Sequence, residues 1–501
     1  MYAEKDFQLL EARTADVQVN MPWRRDRPYI NPHATFLKEP RSPVGSEHEH
    51  VTAVIGKNGT GKSHLLSAIV QTFVELEELR IGKRGRLRPL PLDHLTYRVD
   101  GRLCSLDQDV RKRVRLLVDG SVVDIHSLPL PRRVVALTIS PFDKFPVPRT
   151  LPHSVAPSEP SMYQYLGLRD RFGRASIQTL LYRSLSSLFD ARENEALRRS
   201  NIGAVFDFLG LKATVNVIYR LRTTEKLRNA LNRGIHLGDL GVLSPSQTQR
   251  LQEVERSGVS IPEIRMLLEL AVEKAERGQI ATRADFEAGG ILDDSFARLQ
   301  PLRRVGFLNL TGVEVTHKSG LPSNLLAASS GQLSMVSALV ALASVIHNGS
   351  LVLIDEPELS LHPEWQIKYV DLLVKTFARY HGCHFVVATH SPMVISELPA
   401  HAEVISLDRE QLPPASELRG QSADYLLAEA FGLPTNGNLH VKERIVEALS
   451  LVANGRARSK EFDGVLLELK KFEHDLDDED PSKAIINSLT DVANHAGNAV
   501  D

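Results

Sequence analysis

The sequence has 501 residues, which predicts two or three packed units at about 100–200 residues per domain. Apolar residues make up 42% and charged residues 24%, and no apolar run reaches the roughly 18 residues of a membrane span, which excludes an integral membrane protein. The net charge of −2 argues against a uniformly basic nucleic-acid binder. An N-terminus without an apolar signal segment and the presence of only two cysteines favour a cytoplasmic location.

Short β-branched runs bounded by Gly, Pro and Asp predict a β-rich region in the first 150 residues. These runs lie at Val51–Ile55, Leu95–Val99, Val114–Val118 and Val134–Ile139. From Ser176 to about Arg283 the apolar residues follow helical spacing, with one predicted strand at Thr214–Arg220. This part of the chain is therefore predicted to be a mostly helical insertion.

Strands and helices alternate in the following part of the chain. The predicted elements are a strand at Val305–Val315, a helix at Gln332–Ile346, a strand at Leu351–Ile354, a helix at Glu364–Tyr380 and a strand at His384–Ala388. This alternation predicts a parallel sheet with crossover helices, which is an α/β fold. The tail beyond Asn438 is predicted to be helical, and its acidic run Glu473–Asp480 is typical of a solvated surface or linker.

A phosphate-binding loop is predicted between the first of these strands and a helix at His64–Val74. It consists of Gly56, Lys57, Asn58, Gly59, Thr60, Gly61, Lys62 and Ser63. Glycines allow successive backbone N–H groups to surround a phosphate, and the helix N-terminus adds partial positive charge. Lys62 is predicted to reach the β and γ oxygens of ATP, and Ser63 is predicted to bind Mg²⁺ through its hydroxyl.

Two carboxylates follow the apolar strand Leu351–Ile354. A buried strand delivers Asp355 to the crevice where α/β sheets bind ligands, so Asp355 is a predicted Mg²⁺ ligand. Glu356, one residue further on, is predicted to accept the proton of the attacking water.

A second anion site is predicted at a helix N-terminus that precedes Asp355. Its residues are Ser329, Ser330, Gly331 and Gln332, preceded by Ala328. One chain does not need two γ-phosphate sites, so this segment either binds the nucleotide of another subunit or is only a capped helix.

These motifs, with Thr389-His390-Ser391, resemble in order and spacing the ABC-type ATPase heads of SMC, DNA-repair and OLD-like proteins. The stretch Asp355–Gln366 is similar to the OLD-like branch. The segment Ala328–Gln332 corresponds to the signature of these ATPases, and it differs from them at its first position, where Ala328 replaces the usual Leu. The resemblance implies a D-loop at Ser360–Pro363 and a switch histidine, His390, that contacts the γ-phosphate. A structural role after the buried strand is the alternative for His390.

The resemblance extends to a Q-loop-like segment at Ser140–Phe145, which contains no Gln. Asp143 either replaces the usual metal-contacting glutamine or is a turn residue. Together with Tyr163–Leu168 and Leu427–Thr435, this segment resembles the stand-alone ATPases of prokaryotic antiphage systems of the Septu and retron-associated type. The resemblance divides the chain into two halves of an ATPase head at 1–168 and 301–438, an insertion at 169–300 and a tail at 439–501.

A basic stretch lies between the phosphate loop and the Q-loop-like segment. Residues 80–115 contain eleven Lys and Arg and four Asp, a net charge of +7. Arg111, Lys112 and Arg113 are candidates for nucleic-acid contact, and a solvated basic face is the alternative because Tyr97 is the one aromatic residue there.

The predicted activity is hydrolysis of ATP with Mg²⁺. ATP binding is predicted to pair two heads in a homodimer or larger homo-oligomer, and hydrolysis is predicted to open them. In this prediction the ATPase controls a separate effector subunit, a nuclease, in antiphage defence. A DNA-repair ATPase acting on DNA directly is the alternative. A self-sufficient nuclease is disfavoured because the chain lacks a credible Glu plus Asp-x-Asp set on strands. A transporter subunit is disfavoured by the long insertion between Leu168 and Ser323.

Overall fold

The structure is a computed structural model of the chain. It describes residues 6–15, 17–18, 29–37, 49–83, 89–148, 161–169, 175, 180–181, 202–207, 209–233, 243–256, 258–285, 294–434, 438–473, 476 and 480–497. Parts of several predictions lie outside these residues, namely much of the helical spacing between 176 and 200, basic residues 84–88, Thr435 and positions 474, 475 and 477–479 of the acidic run.

The described strands are numbered in chain order. They are β1 Phe7–Thr14, β2 Val17–Gln18, β3 Tyr29–Ile30, β4 His33–Thr35, β5 His50–Ile55, β6 Leu92–Val99, β7 Arg102–Gln108, β8 Val114–Val118, β9 Ser121–Val122, β10 Arg133–Thr138, β11 Tyr163–Leu166, β12 Leu211–Leu221, β13 Gln279–Asp285, β14 Leu308–His317, β15 Pro322–Asn324, β16 Ser350–Asp355, β17 His384–Ala388 and β18 Glu403–Ser406.

The described helices are numbered in the same way. They are α1 Lys62–Arg80, α2 Glu225–Asn232, α3 Pro245–Arg256, α4 Ile261–Lys274, α5 Asp294–Val305, α6 Ser330–Val345, α7 Pro363–Phe377, α8 Pro392–Ser396, α9 Ala415–Leu418, α10 Ala423–Glu429, α11 Leu439–Ala453, α12 Lys460–Glu473 and α13 Pro481–Gly497, with a 3-10 turn at Leu325–Ala327.

A parallel sheet is the centre of the fold. Among the described residues, its strands follow the order β11, β10, β16, β17, β5, β18, and each neighbouring pair is parallel. Strands β5, β16 and β17 are buried along their whole length, as expected for a parallel sheet covered on both faces. The predicted α/β fold with a parallel sheet is confirmed.

Alternate side chains of this sheet enter two different cores. Ile55, Ile354 and Val387 belong to one core, which also contains the apolar faces of α6 and α7 and the insertion. Val54, Leu353 and Val386 belong to the other core, which contains α1 and the strands β1, β6 and β7. Helices therefore cover one face of the parallel sheet, while α1 and an antiparallel sheet cover the other.

The antiparallel sheet on the α1 side has the order β4, β1, β6, β7, β8, β9 within the described chain. Strands near Leu95–Val99 and Val114–Val118 were predicted, and the region is β-rich as expected. The strands Phe7–Thr14 and Arg102–Gln108 were not predicted. Strand Arg102–Gln108 mixes charged and apolar residues, and its buried apolar positions are Cys104 and Leu106. Two such positions give too short an alternation of apolar and polar residues to predict a strand.

The insertion holds more β structure than its apolar spacing predicts. Helices α2, α3 and α4 are present, but β12 pairs with β13 and β14 in an antiparallel sheet. The strand at Thr214–Arg220 is confirmed as part of β12, whereas Gln279–Asp285 was wrongly included in the helical region. That segment becomes a strand because its backbone pairs along β12, a long-range contact that local spacing does not reveal.

The C-terminal tail is helical, as predicted. Helices α11, α12 and α13 share a core of their own, in which Ile445, Phe462 and Leu469 are buried. None of the helices in the described ranges combines the length and the apolar character needed to cross a bilayer.

Candidate functional site

The phosphate-loop residues form a tight turn between β5 and α1. Three glycines of the loop have positive φ angles, 148° at Gly56, 85° at Gly59 and 99° at Gly61. These angles favour glycine because a Cβ is strained there. At Gly56 a Cβ would also lie 2.9 Å from Thr60 Oγ1, so a side chain has no room in the turn. Glycine at these three positions therefore allows the backbone to form the tight loop.

Lys62 is the first residue of α1 and points back across the loop. Its Nζ donates to the carbonyl oxygen of Gly56 at 2.7 Å and lies 3.3 Å from Nδ1 of His390. Burial lowers the pKa of Lys62 to about 8, while neighbouring carboxylates, Asp408 first and then Asp355, oppose that shift. A desolvated ammonium beside a loop of N–H donors is suited to phosphate oxygens.

Ser63 and Asp355 meet at the sheet edge. The Ser63 hydroxyl donates to Asp355 Oδ1 at 3.0 Å, and Asp355 is buried with 2% of its surface exposed. Burial raises the pKa of Asp355 to about 7; the Ser63 hydrogen bond opposes this shift, and Glu356 adds to it. A hydroxyl and a buried carboxylate are oxygen ligands of the kind Mg²⁺ prefers, so these residues fit the predicted ion.

Strand register explains why these segments converge. Asp355 pairs with Thr138 on one side and with Ala388 on the other, and Ala388 pairs with Val54. These positions form one rung across β10, β16, β17 and β5. Because the strands are parallel, the residues that follow each strand emerge together at one edge. The phosphate loop, the carboxylates, the Q-loop-like segment and the histidine are therefore neighbours.

Glu356 begins the turn after β16 in an unusual backbone conformation. Its φ angle is +51°, a region that non-glycine residues rarely occupy, and its N–H donates to the carbonyl of Ala388 at 2.9 Å. A cavity of roughly 590 Å³ lies beside it, lined among others by Ser63, Asp355 and Ser360. Glu356 therefore lines a cavity that the predicted metal ligands Ser63 and Asp355 also line.

His390 lies where the resemblance places it, in the loop after β17. Burial and then the charge of Lys62 lower the pKa of His390 to about 4, so the imidazole is neutral at pH 7. Because Lys62 can only donate, Nδ1 accepts and Nε2 carries the proton. The side chain of Glu358 accepts a hydrogen bond from the His390 backbone N–H at 2.6 Å.

The signature segment caps α6. Ser329 accepts from the N–H of Gln332 at 3.3 Å, and the side chain of Gln332 returns a bond to the Ser329 backbone, which forms a capping box. Ser329 and Ser330 are exposed, so the helix N-terminus faces outward. At Gly331 a Cβ would lie 2.3 Å from the carbonyl oxygen of Ser360, and glycine thus allows the segment to pack against the predicted D-loop.

Asp143 lies at the same cavity but its carboxylate is engaged. Arg169 binds both of its oxygens, at 2.9 and 2.6 Å, and the Tyr165 hydroxyl donates to it at 2.9 Å. The N–H of Phe145 also donates to Asp143, which is an Asx-type turn. These contacts favour the turn alternative for Asp143, and its metal role stays a prediction.

The candidate nucleic-acid residues Arg111, Lys112 and Arg113 lie on the turn that joins β7 and β8. Asp109 closes this turn by accepting from the N–H of Arg113 at 2.8 Å, and Lys112 has a φ angle of +59°. All three side chains are exposed, and the turn also carries the fully exposed Val110. This basic turn lies on the antiparallel sheet, whereas the ATP motifs lie at the carboxyl edge of the parallel sheet.

Two residues of the site were not identified from the sequence. Asp408 follows β18 and accepts from the N–H of Lys57 in the phosphate loop at 3.1 Å. Glu358 contacts the histidine loop from the turn after β16. Asp408 is an isolated acidic residue after a strand, a feature too common to single out, and Glu358 lies in the stretch Asp355–Gln366 but was given no role there.

Comparison with known proteins supports the ATPase interpretation. Residues 223–396 match the protein family described as "AAA domain, putative AbiEii toxin, Type IV TA system". The matched segment contains the signature, Asp355, Glu356 and His390, while the phosphate loop lies before it. The match supports an AAA-type ATPase domain in this chain.

One curated relative is Protein ea59 of Escherichia phage lambda, which is 33% identical over 125 residues. That alignment covers 23% of this chain and 23% of the phage protein, so the chain spans about a quarter of the relative's length.

Several solved structures are similar to this chain. The SMC head domain from Thermotoga maritima has a TM-score of 0.33 and 10% identity, over 81% of this chain and 96% of that chain. The Smc head domain with an extended coiled coil, bound to the C-terminal domain of ScpA derived from Pyrococcus furiosus, has a TM-score of 0.31 and 11% identity, over 80% and 93%. The recombination mediator protein RecF has a TM-score of 0.26 and 12% identity, over 81% and 97%.

The chain is an α/β protein whose predicted ATP motifs lie at the carboxyl edge of a parallel sheet, and residues 223–396 are similar to an AAA domain.

Proposed function

We propose that this protein binds and hydrolyses ATP with Mg²⁺ as an ABC/OLD-like ATPase. One observation carries the proposal: the Ser63 hydroxyl at the end of the phosphate loop lies 3.0 Å from the buried carboxylate of Asp355, next to the buried ammonium of Lys62. Hard oxygen ligands, a desolvated cation and a glycine cradle at one sheet edge match the chemistry of a nucleoside triphosphate with its metal.

Each residue of the site has a proposed role. The N–H groups of the loop bind phosphate, and the ammonium of Lys62 exchanges its contact with the Gly56 carbonyl for β and γ oxygens. Ser63 and Asp355 would hold Mg²⁺, which supplies positive charge to the phosphates. Glu356 accepts the proton of the attacking water, and the neutral His390 offers its Nε2–H as a hydrogen-bond donor.

The signature is proposed to act on the nucleotide of a second copy. Its N-terminal residues Ser329 and Ser330 are exposed and remain available to a partner, while Gly331 packs on the chain's own D-loop at Ser360. Phe142 is 84% exposed at the rim of the cleft, where an aromatic side chain gains by burial against another head. Two heads would thus close around two nucleotides in a homodimer or a larger homo-oligomer.

Head closure is proposed to control a separate effector, a nuclease, in antiphage defence, with the chain itself acting in the cytoplasm. The family description, which reads "putative AbiEii toxin, Type IV TA system", supports a role in a system of two components. A physical route also exists, since the insertion shares one continuous core with the helical face of the parallel sheet. A movement at the site would therefore be transmitted to the insertion through packed side chains.

A DNA-repair ATPase that acts on DNA directly is the second candidate. The exposed basic turn at Arg111–Arg113 favours it, because three adjacent cations on one hairpin suit a phosphate backbone. In both candidates the ATP chemistry is the same, and the chain is not itself a nuclease.

The test is ATP binding and hydrolysis by the purified chain, with and without Mg²⁺. The wild type should bind ATP and release phosphate only with Mg²⁺, and Lys62→Ala should abolish binding because it removes the charge-assisted contact. Lys375→Ala, which removes an exposed lysine from α7, serves as the matched control and should change neither quantity. Hydrolysis that persists in Lys62→Ala would contradict the proposal.

A further inference from the structure

The carboxylate of Glu358 joins two loops of the site. Its Oε1 accepts from the backbone N–H of His390 at 2.6 Å, and its Oε2 accepts from the hydroxyl of Thr389 at 2.8 Å. Both donors belong to the loop after β17, whereas Glu358 belongs to the turn after β16. Both carboxylate oxygens of one side chain thus hold the histidine loop, and bonds of this length to a carboxylate are among the strong hydrogen bonds of proteins.

A second side chain holds the same loop from α7. Gln366 Oε1 accepts from the hydroxyl of Ser391 at 2.7 Å, and its Nε2 donates to the carbonyl of Leu361 at 2.9 Å. The three consecutive residues Thr389, His390 and Ser391 are therefore all bonded to the segment that runs from the turn after β16 into the start of α7. That segment is the one that carries Glu356 and the predicted D-loop.

The Glu358 bond acts on the backbone of His390 and leaves its imidazole free for other contacts. The imidazole Nδ1 lies 3.3 Å from Lys62 Nζ on the opposite side of the site. Since a side chain follows its backbone, the bond at the His390 N–H determines where the ring can reach. A shift of the loop by about 1 Å is enough to lower a reaction rate up to about a hundredfold when the group acts in the transition state.

We propose that Glu358 is a positioning residue for the ATPase reaction: it fixes the loop of His390 relative to Glu356, so that the proton acceptor and the imidazole form one rigid unit. This inference rests on the proposed function and adds to it a residue that acts through His390 and not on the nucleotide. A loop held in this way is arranged before the substrate binds, which is what an electrostatic site requires.

The test compares Glu358→Gln with the wild type. The amide has one oxygen acceptor and no charge, so it cannot accept from both the His390 N–H and the Thr389 hydroxyl, and the charge-assisted strength of the bonds is lost. We expect kcat to fall about ten- to hundredfold while KM for ATP changes much less. Glu364→Gln, an exposed substitution of the same kind whose carboxylate bonds Lys368 at 2.8 Å, is the matched control and should leave both constants unchanged.

Amide hydrogen exchange provides a readout that needs no nucleotide. The His390 N–H donates to the Glu358 carboxylate in the wild type. Because a neutral amide is a weaker acceptor, the His390 amide should exchange faster in Glu358→Gln and at the wild-type rate in Glu364→Gln. Unchanged exchange would overturn the proposal. If Glu358→Gln fails to fold, Thr389→Val removes one donor and leaves the carboxylate in place, and the His390 amide should then exchange faster; unchanged exchange in that variant counts equally against the proposal.

A double-mutant cycle separates positioning from general stability. If Glu358 acts through His390, then Glu358→Gln should lower kcat no further once His390→Ala is present. A full additional loss in that background would overturn the proposal. Absence of Mg²⁺-dependent hydrolysis in the wild type would instead contradict the proposed function, so the two failures are distinguishable.

Discussion

Ser63 Oγ lies 3.0 Å from Asp355 Oδ1, although 292 residues separate them in the chain. The contact exists because β5 and β16 flank β17 in register, so their carboxyl ends meet at one edge of the sheet. The phosphate loop and the acidic strand end thus form one site. The consequences of that site for ATP turnover are open to direct measurement.

Glu356→Gln should separate ATP binding from hydrolysis. The amide preserves the size of the side chain and leaves Asp355 and Ser63 intact, but it cannot accept the proton of the attacking water. We expect ATP affinity to be retained and kcat to fall by about a hundredfold or more. Equilibrium binding of labelled ATP together with phosphate release measures both quantities. Turnover equal to that of the wild type would rule out Glu356 as the proton acceptor.

Action of the signature in trans predicts rescue between two inactive variants. Ser330→Arg places a bulky cation at the exposed end of α6, and Lys62→Ala disables the phosphate loop. A mixed pair contains one composite site in which both the loop and the signature are intact, so mixing should restore hydrolysis above the sum of the separate variants. The measurement is phosphate release from the mixture under conditions where native mass spectrometry shows mixed pairs. Mixed pairs without recovery would contradict the paired-head arrangement.

The stability of the fold should depend on pH through His384 of β17. Its Nδ1 accepts from the Leu9 N–H at 2.9 Å, which leaves the proton on Nε2, and Nε2 lies 2.9 Å from the Thr52 hydroxyl. Burial, and then the neighbouring His50, hold the pKa of His384 well below its usual range. As pH falls, His384 therefore takes up a proton at a higher pH in the unfolded chain than in the folded chain. The free energy of unfolding should then fall as pH drops below about 6.5.

The slope expected from this one group is at most about 1.4 kcal/mol per pH unit. Urea unfolding at pH 7.5, 6.5 and 5.5 measures it. His384→Asn should be less stable at pH 7.5 but should show a flatter dependence on pH, whereas substitution of the exposed His126 by Gln should alter neither. An equally steep dependence in His384→Asn would assign the effect to other groups.

The sequence predicted those parts of the site that depend on consecutive residues. The phosphate loop and Asp355 could be identified because each follows an apolar strand, and the strand His384–Ala388 was placed with its correct bounds. Contacts between separate loops could not be predicted. The bond from Glu358 to the His390 N–H depends on which strands are neighbours, and the pairing of Arg169 with Asp143 depends on a turn and on β11. Strand Gln279–Asp285 was missed for the same reason, since its pairing partners on β12 are 59 to 71 residues away in the chain.

The basic turn between β7 and β8 should bind nucleic acid through phosphates. Each phosphate that is neutralised releases condensed counterions, so affinity for DNA or RNA should fall steeply with salt. Replacing Arg111, Lys112 and Arg113 with Ala should reduce the log–log slope by up to about 0.9 for each contact that is lost. Fluorescence anisotropy with a labelled duplex and a labelled single strand measures this slope. The salt concentration is varied from about 50 to about 300 mM, the range in which such affinities change strongly.

A control of equal charge separates local contact from net charge. Replacing the exposed Arg458, Lys470 and Lys471 of the tail with Ala removes the same three charges and should leave the slope unchanged. Both triple variants should hydrolyse ATP at the wild-type basal rate, because neither set lies at the sheet edge that carries the ATP motifs. The purified chain alone should not cut the labelled strands. Binding that is indifferent to salt and to the turn would remove the nucleic-acid role, and cleavage abolished by a substitution outside the ATP site would show that the nuclease belongs to this chain and not to a partner.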